Sequence, residues 1–258
     1  MDHRERYDLA TDLDPFHRIR VDTLAMADAA ERDLTAPVEG CPGWTTADLV
    51  WHVLEVQFFW ATVVGERLRE PDGYTEPPRP GTRELVPALR EGVEHLLDVL
   101  RAADPAEPVF TWASRQDAGW VVRHQVQEAA VHRWDAERAA GREAPLDAAA
   151  ATDGVEEFLR YSTPFRVEGA TPMGGSLLLE ATDTGYRWLV REDAEGAAHW
   201  RRLDPTEPVT ATTSAEAALT APASDLLLYL YRRRAAKQLA PLGDEAVAER
   251  FALRNPTG

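Results

Sequence analysis

Three ionisable side chains stand at equal four-residue steps in the stretch WVVRHQVQEAAVHRWD, residues 120–135: His124, Glu128 and His132. Groups four residues apart lie about 40° apart around an α-helix, so Glu128 and His132 can converge on one ion. His124 is offset from His132 by about 80°, which leaves it beside such a site or on the surface. The spacing equally suits an ordinary exposed pair, and spacing alone does not choose between the two. The neighbours bear on the choice. Val121, Gln125, Glu128, His132 and Asp135 share one broad face, with Val122, Val126, Ala129 and Ala130 beside it. A carboxylate flanked by small and aliphatic residues is costly to bury without a counter-ion, which a divalent cation supplies.

His52 lies in the stripe Leu49, His52, Val56, Phe59, Val63, the face a bundle helix turns inward, and is expected to be buried. A buried imidazole needs a partner for each nitrogen, and a hydrogen bond to a carboxylate or carbonyl meets that need as a metal does. If His52 faces the other pair, a His-Glu-His set results. Two histidines and a carboxylate match the three-ligand pattern of catalytic zinc, whose fourth position stays open to water or substrate. Cys41, the single cysteine, is a conceivable fourth ligand, but in its Cys-Pro-Gly turn it reads more simply as a small apolar residue. Asp135 is a candidate partner for a ligand. Metal-hydroxide hydrolysis would need Glu55 or Asp135 as general base, and neither spacing compels that role.

The elements that must position these groups are helices in the first half. PFHRIRVDTLAMADAAERDL repeats apolar residues every three or four positions and ends at the VEGCPGWTT punctuation. Thr45 with Asp48 three residues on predicts a capped start for TADLVWHVLEVQFFWATVVGERL. After the Pro-rich EPDGYTEPPRPG, the stripe Leu85, Leu89, Val93, Leu96, Leu100 predicts a third helix, with Pro87 in its first turn or at a kink. A fourth runs from about Gly119 to Ala140 and stops at Gly141. Four such helices argue for a bundle.

After APLDAAAATDG the pattern becomes partly alternating. GSLLLEATD, YRWLVRED, AHWRRLD and VTATTSA, separated by DTG, AEG and DPTEP, predict antiparallel strands. ASDLLLYLYRRRAAKQL returns to helical period. The fold class is α+β: a helical bundle over 1–146, then a small α+β domain with an antiparallel sheet over 147–258.

Composition narrows the function. The 258-residue chain is 44% hydrophobic with eight tryptophans, enough for a real core. Its formal charge of −16 disfavours nucleic acid as a partner. The longest apolar run is broken by His52, Glu55 and Gln57, so no membrane span is expected, and MDHRERYDLATDLD has no signal-like apolar stretch. One cysteine excludes an internal disulfide and fits a reducing compartment, so cytoplasmic residence is expected. The tryptophans read as core and loop packing, and Arg232, Arg233 and Arg234 as a solvated helix end.

CPGWTTADLVWHVLE together with RHQVQEAAVHRWDAE resembles the mycothiol-dependent maleylpyruvate isomerase family of the DinB-like superfamily. GGSLLLEATDTGYRWLV and SDLLLYLYRRR are more loosely similar to that family's C-terminal domain. The resemblance implies a divalent metal, usually zinc, on His52, Glu128 and His132, with mycothiol as thiol cofactor. It also implies a catalytic arginine in the second domain. The family's Trp-Gly-Arg reads here as Tyr231-Arg232-Arg233, which places that role on Arg233. The implied chemistry is addition of a metal-activated thiolate to an electrophile such as maleylpyruvate, rotation, and expulsion of sulfur. Retention of the thiol would make the same site an S-transferase, and a non-enzymatic small-ligand module is a further alternative. The implied partners are a small electrophile and the thiol, in a monomer or homodimer.

Overall fold

The computed structural model describes residues 2–204, 206, 207 and 215–257. The chain divides into two compact units, Met1–Pro145 and Leu146–Gly258.

The first unit is helical: α1 (His3–Tyr7), α2 (Pro15–Ala30), α3 (Thr46–Gly65), α4 (Leu85–Ala102) and α5 (Ala118–Ala139). Local chemistry sets the helix starts. Asp14 accepts from the His17 N–H with Pro15 in the first turn, and Asp117 accepts from the Trp120 N–H. Thr45 and Asp48 form a reciprocal capping box at α3, which satisfies two otherwise orphaned donors. Pro87 sits in the first turn of α4, where its missing N–H has no intrahelical acceptor to lose.

Helix α2 packs on α4 and α5, and α3 packs on α4 and α5. Met26, Leu49, Val53 and Leu89 are wholly or almost wholly buried in the core they share. Helix α5 is buried on nearly every side, so its charged residues are paired rather than solvated. Arg133 binds Glu137 at 2.6 Å and Asp22 at 3.0 Å, as buried charge requires. By length and apolar composition α3 is the one described helix that could cross a membrane, and half of its most apolar window is buried inside the protein.

The second unit contains α6 (Ala148–Tyr161), β1 (Ser176–Ala181), β2 (Arg187–Glu192), β3 (Ala198–Leu203), β4 (Ala217–Ala221), α7 (Ala223–Leu230), β5 (Leu242–Gly243) and α8 (Glu245–Arg254). One sheet has the order β3-β2-β1-β4-β5. The α+β class holds, and β1, β2 and β3 follow three of the predicted strand segments as antiparallel neighbours. The sheet is mixed rather than wholly antiparallel, because β4 pairs parallel with β1, from Leu177↔Ala217 to Ala181↔Ala221. Alternation identifies which side chains share a face and carries no information on strand direction. The predicted strand VTATTSA lies, apart from Ala215, outside the described residues.

Three helices were not anticipated. Helix α6 is alanine-rich at its start, which blurs its period, although its interior is buried. Helices α1 and α8 are short. Conversely, α7 stops at Leu230 instead of continuing through the arginines, and Arg232 turns the chain with φ +59°.

Candidate active site

The site lies where α3 and α5 of the helical unit face each other. His52, in the second turn of α3, and His132, near the end of α5, both direct Nε2 at the same carboxylate oxygen. Glu128 Oε1 is 3.4 Å from His52 and 3.3 Å from His132. The two imidazoles stand edge to face, with centroids 5.2 Å apart and planes at 82°. Ligand atoms of all three residues fall within 4.8 Å of one another.

Their environments differ. His132 and Glu128 have side chains only 9% and 16% exposed, whereas His52 is 33% exposed, so the expectation that His52 is buried is corrected. The stripe that contains it reports the side a helix turns inward, not how close a residue lies to the mouth of the bundle. Trp44 covers part of His52, ring centroids 5.0 Å apart. A tight turn places Trp44 there: its N–H donates to the Cys41 carbonyl, and Gly43 between them takes φ +88°, a conformation that favours glycine.

Behind His132, the buried Asp135 carboxylate lies 3.0 Å from Nδ1. Burial alone would depress the His132 pKa, but the Glu128 charge and the hydrogen bonds to Asp135 and Glu128 raise it to about 9. Burial pushes Glu128 upward, and the charges and hydrogen bonds of His132 and His52 outweigh it, holding the carboxyl well below its ordinary range. A deeply placed carboxylate is thus kept ionised by two imidazoles.

This donor set fits a divalent cation. It offers two imidazole nitrogens and one carboxylate oxygen, the usual nitrogen and oxygen chemistry of zinc. Asp135 on the far nitrogen of His132 supplies the outer hydrogen bond that orients ligating imidazoles. A second group, Cys41, His132 and Asp135, also has ligand atoms within 4.8 Å. Cys41 Sγ is 3.9 Å from Asp135 Oδ2, on the Nδ1 side of His132. The two imidazole nitrogens point away from each other, so Cys41 stands behind the His52–Glu128–His132 cluster rather than at its open side.

The remaining sequence candidates are elsewhere. His124 stacks on Trp120, centroids 4.5 Å apart and planes at 13°, and its Nδ1 is 3.1 Å from Gln127 Nε2. Glu55 accepts a 2.6 Å hydrogen bond from the Tyr74 hydroxyl. Arg233 belongs to the second unit, immediately after α7, where its backbone N–H donates to Leu228 O and its Nη1 to Tyr231 O. Sequence reasoning did not single out Trp44 or Tyr74. The Cys-Pro-Gly turn signalled the first, and nothing in the Pro-rich loop signalled the second.

The first unit is thus a helical bundle with a candidate metal site, two imidazoles and a carboxylate converging between two of its helices. Residues 17–137 match the family described as the mycothiol maleylpyruvate isomerase N-terminal domain. Among solved structures, the chain is similar to a mycothiol-dependent maleylpyruvate isomerase at 14% identity and TM-score 0.55, over 83% of this chain and 86% of that one. A histidine-to-alanine mutant of that isomerase matches at 13% identity and TM-score 0.54, over 83% and 86% of the two chains. At such identity the likeness is one of fold. No curated protein sequence matches significantly.

Proposed function

We propose that the chain is a mycothiol-dependent enzyme of the isomerase class, acting on a conjugated electrophile such as a cis-enedione, with a divalent cation, zinc in the first instance, held by His52, Glu128 and His132. The observation that carries this reading is the convergence of two Nε2 atoms on the single Glu128 oxygen, within a domain of this family. When bound, cation and thiol together would supply a thiolate near neutral pH, a nucleophile able to add reversibly to a conjugated double bond.

The chain's own residues prepare the rest. Asp135 fixes the orientation of His132 by binding Nδ1 and leaves Nε2 for the ligand position. Trp44 packs against His52 and limits how far that more exposed ring can turn. Glu55 is engaged by Tyr74 and Asp135 by His132, so neither carboxylate stands available as the base that a hydrolase reading needs.

Arg233 is the candidate for clamping a substrate carboxylate or an enolate oxygen. The alignment that selects it puts Arg232 where the family has glycine. Arg232 adopts φ +59°, the left-handed conformation for which glycine is the low-energy choice, and this supports the register. The reading includes cytoplasmic residence and functional domains at 1–146 and 147–258.

Elemental analysis of the purified full chain tests the metal, with His52→Ala and His132→Ala beside it. About one zinc per chain, lost in both variants, is expected; unchanged metal content in either would refute the ligand assignment. Maleylpyruvate consumption with and without mycothiol tests the thiol, and a thiol-independent rate would refute its role.

A further inference from the structure

The seam between α3 and α5 continues past the histidine–glutamate cluster into an aromatic wall. Phe59 follows His52 by seven residues, two helical turns or about 10 Å along α3, and His124 precedes Glu128 by one turn of α5. Around these positions lie Phe58, Tyr74 and Trp112. Phe59 contacts Tyr74 edge to face at 4.9 Å and runs nearly parallel to Trp112, centroids 6.3 Å apart and planes at 18°. Trp112 also meets His124 at 5.7 Å. Beneath them Trp60 and Trp120 are fully buried.

The outer layer is not core. Trp112 is 54% exposed and Phe58 39% exposed, an arrangement that folding alone does not favour and that typically marks a ligand surface. The charges that act on Tyr74 are acidic. Tyr74 is faced by Glu55 and Glu76, and Glu55 lies one turn from His52. The arginines seen over aromatic rings sit instead on Tyr7, Phe16, Trp134 and Tyr186. A small dicarboxylate would meet repulsion along this wall, whereas an uncharged conjugated ring would gain a stacking face.

We infer that Phe59 and Trp112 seat the uncharged aromatic or conjugated body of the electrophile, so that the preferred substrate is a neutral planar compound rather than a small dianion. This rests on the proposed thiol and metal site, to which the wall is the adjoining specificity surface. Trp112 and Phe59 act as positioning residues.

Calorimetric binding to the zinc-loaded full chain separates the possibilities, with S-(2,4-dinitrophenyl)mycothiol, S-(1,2-dicarboxyethyl)mycothiol and S-methylmycothiol as probes. The dinitrophenyl conjugate should bind on the order of ten-fold more tightly than the methyl conjugate, and the dicarboxyethyl conjugate no more tightly than the methyl one. Trp112→Ala, at an exposed position that folding tolerates, and Phe59→Ala should abolish the dinitrophenyl advantage while leaving S-methylmycothiol binding unchanged. Equal binding of the dinitrophenyl and methyl conjugates, or an advantage that survives both variants, overturns the inference. Equal weakening of all three conjugates by Trp112→Ala also overturns it, by placing the sugar of the thiol on the wall. 2,4-Dinitrophenyl methyl sulfide, which lacks that sugar, distinguishes the two layers of argument. If it binds in a Trp112-dependent manner while mycothiol does not bind, the thiol reading fails and the wall stands. If mycothiol binds and the sulfide does not, the wall fails alone.

Discussion

Asp135 acts through His132, and it sets the quality of the site. Its carboxylate is fully buried and holds His132 Nδ1 at 3.0 Å, which fixes the ring and raises the basicity of the opposite nitrogen. Asp135→Asn should therefore lower zinc affinity by roughly 10- to 100-fold, the usual effect of losing such an outer partner, with the fold retained. Competition against a chelator of known affinity measures this; an unchanged affinity would mean that Asp135 has a purely structural place. The legibility of the site divides along the same line. Glu128 and His132 could be read because four-residue spacing within one helix is local geometry. The partnership with His52 needed a second helix: its stripe made it a candidate and the resemblance joined it to the pair, whereas Trp44, Tyr74 and the Cys41–Asp135 approach depend on where loops land, which no periodic pattern records.

Among the elements, α3 makes a sharp case because its start was readable and its consequence is measurable. Asp48 accepts from the Thr45 hydroxyl at 2.6 Å and the Thr45 N–H at 2.9 Å, and Arg79 lies 2.9 Å away. These contacts, the Thr45 side chain first, hold the Asp48 carboxyl at about 2. A folded-state pKa below the unfolded value gives stability that is complete above the unfolded pKa of about 4 and is lost as pH falls through the folded value. Because the side chain is 36% exposed, the contribution after screening is roughly 1 kcal/mol. Unfolding free energies of wild type and Asp48→Asn from urea titrations should differ by that amount at pH 6 and converge by about pH 2, and a gap independent of pH would contradict the assignment.

The end of α7 was only partly readable: the arginines read as a helix end, yet the helical period runs on past them, and the helix stops before them at Leu230. Arg232 accepts an unfavourable φ, and its guanidinium donates to the carbonyls of Ala252 and Asn255, supplying donors at the C-terminus of α8 that the helix itself lacks. Relief of the left-handed strain amounts to about 1 kcal/mol, less than the loss of two charge-assisted hydrogen bonds at roughly 1.5 kcal/mol or more each. Thermal midpoints should therefore rank wild type above Arg232→Gly and Arg232→Gly above Arg232→Ala. A glycine variant more stable than wild type would show that the α8 cap contributes little. The alanine-rich α6 and the parallel β4 were missed for a related reason: small residues give weak contrast in either period, and tertiary packing decides the outcome.

For the molecule as a whole, the shift from helical to alternating pattern announced two parts of different construction, and composition announced the strongest long-range property, a formal charge of −16. That charge makes a prediction independent of any single contact. A dianionic substrate approaches against the net field, and the field reaches about 30 Å at 10 mM salt but only about 8 Å at 150 mM. If the chain turns over maleylpyruvate, kcat/KM should rise several-fold between these conditions, while a neutral electrophile that seats on Phe59 and Trp112 should show a flat profile. Arg233→Ala adds the local term. It lies in the unit that holds none of the three proposed ligands, so zinc content should stay unchanged; if Arg233 meets the substrate carboxylate as proposed, the substitution should lower kcat/KM for the dianion and steepen its salt dependence. Stopped-flow rates across the salt series for both substrates and both proteins provide the measurement. A dianion rate that falls with salt in wild type would mean that a local positive field, not the net charge, governs encounter, and the preference for neutral electrophiles would lose its electrostatic basis.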